Sequence, residues 1–436
     1  MMRIEKLDSY ERVPVSDATR TLLCDFAAGD LKRPLRDVDV DWEEVFRGVC
    51  RNGLLGLTRR YLVHWEQEPH PPLEFRRWVA QVHRTNAIRM VLMYREIAKV
   101  LAQVAGSELD CVVVKGPALA YTIYPDPFLR SFNDLDLVVR ERDWAAVHRL
   151  LAEMGFRPEK DLSQPPPKLV AQGVLYELKY WHAETGLLVE VHYDDLLNAG
   201  LASRDVEGYW QRAVPVDIDG VSVKVLSLED QLIHLCAHAH YHGYTRLNWF
   251  SDMAFIVREH AAQLDWERLL ETVRVEEAQV GVYYSLHYLS QLLGVSVPEG
   301  VLGALRPDCL RRWLHERYLP QEKVLSLQPM SRPAFSFYFI PLLKRLLPDL
   351  LVMGRRGDKL RYLLRLLVPP RAWLRHYYRL GDTQTVTIHY LLHPLKLLYH
   401  YLAEVKAALV NLSDLAQAND GLVHAAKDLV CGSLKH

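Results

Sequence analysis

Through residue 105 the apolar positions recur at helical intervals. Asp41–Val63 reads as amphipathic helix, and a long helical run follows Pro71-Pro72. Within that run Ile88, Val91, Leu92, Ile97, Val100, Leu101 and Val104 mark one stripe, with Arg89, Arg95 and Lys99 between them, and Gly106 is the expected stop. The period changes at Cys111-Val112-Val113-Val114, a short β-branched run that predicts a buried strand. Pro117 suits the first turn of a short helix over Ala118–Tyr124. A second strand is predicted over Leu135–Val139, then a helix over Arg142–Met154 that Gly155 stops. Residues 157–173, with Pro165-Pro166-Pro167, read as a loop. Leu175–Tyr180 and Leu187–His192 flank Ala183–Gly186 as a hairpin. From Ser227-Leu228-Glu229-Asp230, a capping-box pattern, the chain is expected to be mostly helical to its end.

Strand, helix, strand, helix and hairpin between two helical stretches predicts a mixed α/β (α+β) fold, with a small sheet flanked by helical N- and C-terminal regions. The expected divisions are an N-terminal helical region (1–84), a core carrying the sheet (85–215), a helical domain completing its cleft (216–325) and a basic helical region (326–436).

Composition narrows the classes. A chain of 436 residues with formal net charge −1 is neither a globally basic nucleic-acid binder nor an acidic tail. None of the six cysteines forms a C-x-x-C pair, which argues against a cysteine zinc site and a disulfide scaffold. The start lacks an apolar leader segment. The most lipid-like stretch, Phe335–Met353, is broken by Pro341, Lys344, Arg345, Pro348 and Asp349. No membrane span and a cytoplasmic location are expected.

The candidate chemistry centres on Asp134 and Asp136. Two residues apart at the start of a strand, their carboxylates share one face and repel unless a cation lies between them. Mg²⁺ prefers such hard oxygen ligands together with substrate phosphates. A third carboxylate is expected from a neighbouring strand, and Glu190 is the first choice, with Asp194 the competitor. His192 shares the face of Glu190 and is placed to orient the carboxylate or the acceptor. Gly116 allows close backbone approach, and the helix start after it can hold a phosphate. Lys115 and Arg130 are the nearby cations. Arg246 and Asp252 on a later helix are candidates to contact phosphate and stiffen the site.

These residues resemble the nucleotidyltransferase (polymerase β-like) superfamily. More narrowly, they resemble an uncharacterised bacterial nucleotidyltransferase family with the pattern K-G-x-x-L, Y-P-x-x-x-x-R and D-[IL]-D-[LI]. Here the pattern is Lys115, Gly116, Leu119, Tyr124, Pro125, Arg130, Asp134, Leu135, Asp136 and Leu137. The likeness continues through Glu190-Val191-His192 and Ser227–Asp252. It implies a minimal nucleotidyltransferase sheet, two Mg²⁺ ions on Asp134, Asp136 and Glu190, and binding of a nucleoside triphosphate such as ATP by Lys115, Gly116, Arg130 and Arg246. It also implies transfer of a nucleoside monophosphate to a hydroxyl or phosphate, with pyrophosphate leaving. A small-molecule or peptide acceptor is favoured over nucleic acid. The sequence departs from the wider superfamily in having Pro117 after Gly116, 18 positions between Gly116 and Asp134, and Glu rather than Asp at 190.

Two features support rival readings. Pro117 removes an N–H from the phosphate loop, which suits a catalytically decayed nucleotide-binding scaffold. Residues 340–410 carry twelve cations against four anions, which suits an RNA-directed, toxin-like transferase, although a solvated basic face explains them as simply. His234 and His238 have the i, i+4 spacing of zinc ligands but lack the intervening glutamate of a metalloprotease, and buried packing is the simpler account. The aromatic residues Trp373, Tyr377, Tyr378, Tyr390, Tyr399 and Tyr401 read as core.

Overall fold

The computed structural model describes residues 15–31, 39–65, 71–159, 177–194 and 205–327, with parts of 359–399. The expected loop beyond 159, much of the basic 340–410 stretch, Tyr401 and the side chains of Trp373 and Tyr377 lie outside what is described. The chain divides near residue 331 into two compact units, the first carrying the sheet.

Strands β1 (Cys111–Val114), β2 (Asp134–Val139), β3 (Phe156–Pro158), β4 (Glu177–His182), β5 (Leu188–Tyr193), β6 (Val214–Ile218) and β7 (Val221–Val225) form one mixed sheet in the order β3-β4-β5-β2-β1-β7-β6. β1, β2 and β5, the strands expected at the centre of the chemistry, lie side by side. β2 runs antiparallel to β1 and parallel to β5. Their second face (Val113, Leu135, Leu137, Val139, Val189 and Val191) is fully buried, as a covered central strand requires.

Three strands lie beyond the expected set. Phe156–Pro158 pairs with β4 as an edge strand, where Pro158 is tolerated. β6 and β7 form a hairpin turned at Asp219-Gly220, and β7 joins β1 in parallel. β6 spans the 215/216 division, so the sheet continues into the segment expected to be helical.

Before the sheet come α1 (Asp17–Ala28), α2 (Trp42–Arg51), α3 (Leu55–Val63) and α4 (Leu73–Ala105). The predicted helix over 41–63 is broken at Asn52-Gly53, where Gly53 takes φ +68°. Within the sheet region lie α5 (Gly116–Thr122), α6 (Trp144–Glu153) and α7 (Val206–Arg212). After it follow α8 (Leu228–Tyr241), α9 (Leu247–Glu259), α10 (Trp266–Glu276), α11 (Gln279–Leu293), α12 (Glu299–Leu305), α13 (Cys309–Tyr318) and α14 (Gln321–Leu325). Ser227 caps α8 by accepting the Asp230 N–H at 3.2 Å. Helices that precede and follow the sheet in the chain share one apolar core: Leu22, Leu23 and Phe26 of α1 belong with Ile233 of α8, Phe250 and Phe255 of α9, and Leu286 of α11. In the C-terminal unit the described residues include α15 (Arg371–Tyr378). No helix among the described residues is long and apolar enough to cross a membrane.

Candidate active site

The chain turns from β1 into α5 within one residue. Lys115 takes φ 50°, ψ −132°, a region that residues with a Cβ avoid and that costs about 1–3 kcal/mol. Gly116 follows because the loop before β2 crosses close by: a Cβ there would lie 3.2 Å from the Asp134 carbonyl oxygen and 3.5 Å from the Phe132 ring. That loop is held from α4, where Asn86 donates to Ser131 Oγ at 2.9 Å and Arg89 to the Phe132 carbonyl at 3.1 Å. Asp134 therefore begins β2 from a fixed point. Pro117 sits in the first turn of α5 and offers no N–H to a phosphate, so the positive charge at this junction comes from the Lys115 ammonium.

Register sets the rest. Asp136 lies directly beside Glu190 on β5 and Val114 on β1, while Glu190 faces Lys179 across the β4–β5 hairpin. Side chains alternate along a strand, so Asp134 and His192 share this face. One carboxylate oxygen each from Asp136 and Glu190 and one His192 ring nitrogen lie within 4.8 Å of one another. That is a hard-oxygen and imidazole set able to hold a divalent cation. All three side chains are buried.

The charges are unequal in character. Burial would push the Asp136 carboxyl up, but the Lys115 ammonium at 3.0 Å and the His192 hydrogen bond at 3.1 Å hold it below the usual carboxylate range. Asp134 feels Lys115 and Arg130 only as more distant charges. Burial, then repulsion from Asp136 and Glu190, raises it to about 7. Glu190 is also raised, by burial and by Asp136 and Glu177, although Lys179 Nζ lies 2.6 Å from its Oε1. His192 is raised: burial opposes its charged form, and the Asp136 hydrogen bond together with the Asp136 and Glu177 charges outweighs that.

The other candidate residues have different partners. The Arg130 guanidinium forms a two-bond fork with Asp252 of α9, at 2.8 and 3.0 Å, and reaches the Gly116 carbonyl at 3.5 Å. Tyr124 donates to the same Asp252 carboxylate at 2.7 Å. The Tyr124 and Arg130 positions of the motif thus lock α9 onto the strand–helix junction. Arg246 is half-buried at the N-cap of that helix. Asp194, the competitor for third carboxylate, lies past the end of β5, where it accepts from the Trp210 indole at 3.1 Å and the Glu141 N–H at 2.9 Å.

Lys179 and Glu177 were not among the expected site residues. Their signal lies in the alternation of Glu177-Leu178-Lys179-Tyr180, which puts both on the Glu190 face once the hairpin register is known. His192 hydrogen-bonds Asp136, not the Glu190 carboxylate beside it that it was expected to orient. His234 and His238 stack, with ring planes 14° apart, and His238 meets the Trp249 ring edge-on at 5.0 Å.

Carboxylates on neighbouring parallel strands beside a strand–glycine–helix turn are compatible with a nucleotidyltransferase. The family model described as "Uncharacterised nucleotidyltransferase" matches residues 38–294, more than half of the chain, and the chain belongs to that family. No curated protein matches it. The protein is therefore a transferase with a nucleoside triphosphate as substrate. Enzymes of this class generally use divalent metals, and the buried Asp136, Glu190 and His192 group is suited to one.

Proposed function

We propose that the enzyme transfers a nucleoside monophosphate to a small-molecule or peptide acceptor, with Mg²⁺, as two ions, held by Asp134, Asp136 and Glu190. The observation that carries this reading is the register that sets Asp136 beside Glu190 on parallel strands, with Asp134 on the same face. A divalent cation bound there would neutralise triphosphate charge and polarise the phosphorus under attack. His192 holds Asp136 in one rotamer through its 3.1 Å hydrogen bond. Lys115 stands at the phosphate side and, with Arg246, supplies charge to the triphosphate. Gly116 gives it room to approach. Glu190 also assists in taking the acceptor's proton as its oxygen attacks the α-phosphorus. The α–β phosphoanhydride bond breaks and pyrophosphate leaves. Arg130 acts through Asp252, fixing α9 and the Gly116 carbonyl rather than touching phosphate.

The test is incubation of the full chain with each α-labelled nucleoside triphosphate, Mg²⁺ and a size-fractionated cell extract. A labelled product in the small-molecule or peptide fraction, lost in Asp136→Asn, is the expected result. Label entering only RNA would move the reading to a nucleic-acid acceptor. No label transfer with any of the four nucleotides, across Mg²⁺ and Mn²⁺ concentrations, would overturn it.

A further inference from the structure

The carboxylates are already paired with cations belonging to the chain itself. Lys115 Nζ lies 3.0 Å from Asp136 Oδ1, and both side chains are largely buried, with 12% and 3% of their surfaces exposed. Lys179 Nζ lies 2.6 Å from Glu190 Oε1. Both carboxylates belong to the group that gathers within 4.8 Å, so a cation taken by that group competes with each ammonium for its carboxylate's charge.

The two lysines differ in where else they can go. Lys179 has a second partner in place: Glu177 Oε1 is 3.0 Å from its ammonium, and Glu177 is outside the ligand group. If Glu190 takes another cation, Lys179 stays paired. Lys115 has no comparable second partner within salt-bridge distance among the described residues: Asp136 alone is paired with it. Taking a cation onto Asp136 would therefore engage the one carboxylate in salt-bridge contact with this buried ammonium and leave it only the more distant charges of Glu190 and Glu177, which disfavours metal binding. An incoming triphosphate lifts that opposition, since its oxygens accept from an ammonium as a carboxylate does. The strained backbone at Lys115, φ 50°, fixes the root of this side chain at the turn between the strand and the proposed phosphate site.

We infer that Lys115 is an internal counter-ion that holds Asp136 until a triphosphate draws it away, so that metal and nucleotide enter the site as a coupled pair. The inference rests on the metal-dependent reading of the site. It makes Lys115 oppose metal binding and favour nucleotide binding. Lys179, with Glu177 waiting, has neither effect at full strength. Coupling of this kind is reciprocal: each ligand tightens the other by the same factor.

The test is direct binding, without turnover. Mn²⁺ affinity is read by electron paramagnetic resonance of the free ion, with no nucleotide present. Triphosphate affinity is read by equilibrium dialysis of the α,β-methylene analogue of each nucleoside triphosphate in EDTA. In Lys115→Met, Mn²⁺ binding is expected to tighten at least tenfold while analogue binding in EDTA weakens at least tenfold. Lys179→Met is expected to tighten Mn²⁺ less than Lys115→Met. A merely structural role for Lys115 would weaken both ligands, and that result overturns the inference. Equal Mn²⁺ affinity in wild type and Lys115→Met also overturns it. If Lys115→Met does not fold, Lys115→Gly removes the same amine and suits the positive φ, and the same outcomes apply. Mn²⁺ binding that Asp136→Asn abolishes but Lys115→Met leaves unchanged sinks this inference and spares the metal site. Mn²⁺ binding unaffected by Asp136→Asn sinks both.

Discussion

Asp136 and Asp252 are both buried aspartates paired with a cation of the strand–helix motif, yet they are built for opposite ends. Asp252 receives the Arg130 fork and the Tyr124 hydroxyl, and one guanidinium and one phenol satisfy both of its oxygens. Lys115 and His192 both meet Asp136 at Oδ1, and its neighbours on the face are further acids, Asp134 and Glu190. The first cluster is neutral and closed. The second carries more negative charge than its own cations offset. A saturated buried pair marks a joint between elements, while an excess of buried charge of one sign marks a place where a counter-charge is to arrive.

The comparison breaks most visibly in activity. Asp136→Asn is expected to lower nucleotidyl transfer at least about a thousandfold, because positioning and electrostatics supply most of the rate in phosphoryl chemistry. The folded structure should persist, by far-UV circular dichroism. Asp252→Asn should do the reverse. Removing one partner of a buried pair strands the Arg130 guanidinium and costs about 3–5 kcal/mol of stability, read by urea denaturation. Transfer by the remaining folded protein should stay within about tenfold of wild type. A large rise in triphosphate KM in Asp252→Asn, with stability unchanged, would mean that Arg130 serves the substrate and that the two clusters are not different in kind.

How far this contrast is legible in the sequence depends on distance along the chain. Val112–Val114, Leu135–Val139 and Leu187–His192 announce strands through β-branched or alternating runs, and the Asp134–Asp136 spacing fixes a shared face. Lys179 beside Glu190 follows from the register of a local hairpin, 11 residues apart. The Val214–Val225 hairpin carries both alternation and an Asp-Gly turn, but its parallel seam with β1 joins Val112 to Lys224, and no local pattern encodes that. Arg130 looks like a phosphate ligand because its partner is 122 residues away. Cations near a motif are therefore ambiguous until the fold reveals which acid they already own.

Asp134 sharpens the contrast through pH. An aspartate in the unfolded chain titrates near 4. In the folded protein, burial and the neighbouring carboxylates raise Asp134 to about 7. Between those values the folded state holds more protons than the unfolded, so stability contributed by this group falls as pH rises and the loss is complete above about 7. Asp134→Asn lacks that loss. In EDTA its Tm should match wild type near pH 4 and exceed it by several degrees at pH 8, while transfer is lost. Saturating Mg²⁺ should raise the wild-type Tm at pH 8 and leave the Asp134→Asn Tm little changed. A Tm difference that does not vary with pH would mean that the acids do not repel one another across this face.

The smallest effect tests the closed cluster from its neutral side. Tyr124→Phe removes one hydrogen bond to Asp252 and keeps the ring, which lies 4.3 Å from the Phe255 ring. The Arg130 fork still satisfies the carboxylate, so no buried charge is stranded and the expected cost is about 1 kcal/mol by urea denaturation. Neither kcat nor triphosphate KM should move. Combined with Arg130→Met, the two losses should not add, because both act on one carboxylate, and a coupling of about 1 kcal/mol or more in that double-mutant cycle is the expected reading. Strict additivity would mean that Tyr124 and Arg130 hold different things, and the case for Asp252 as a single saturated joint would fall with it.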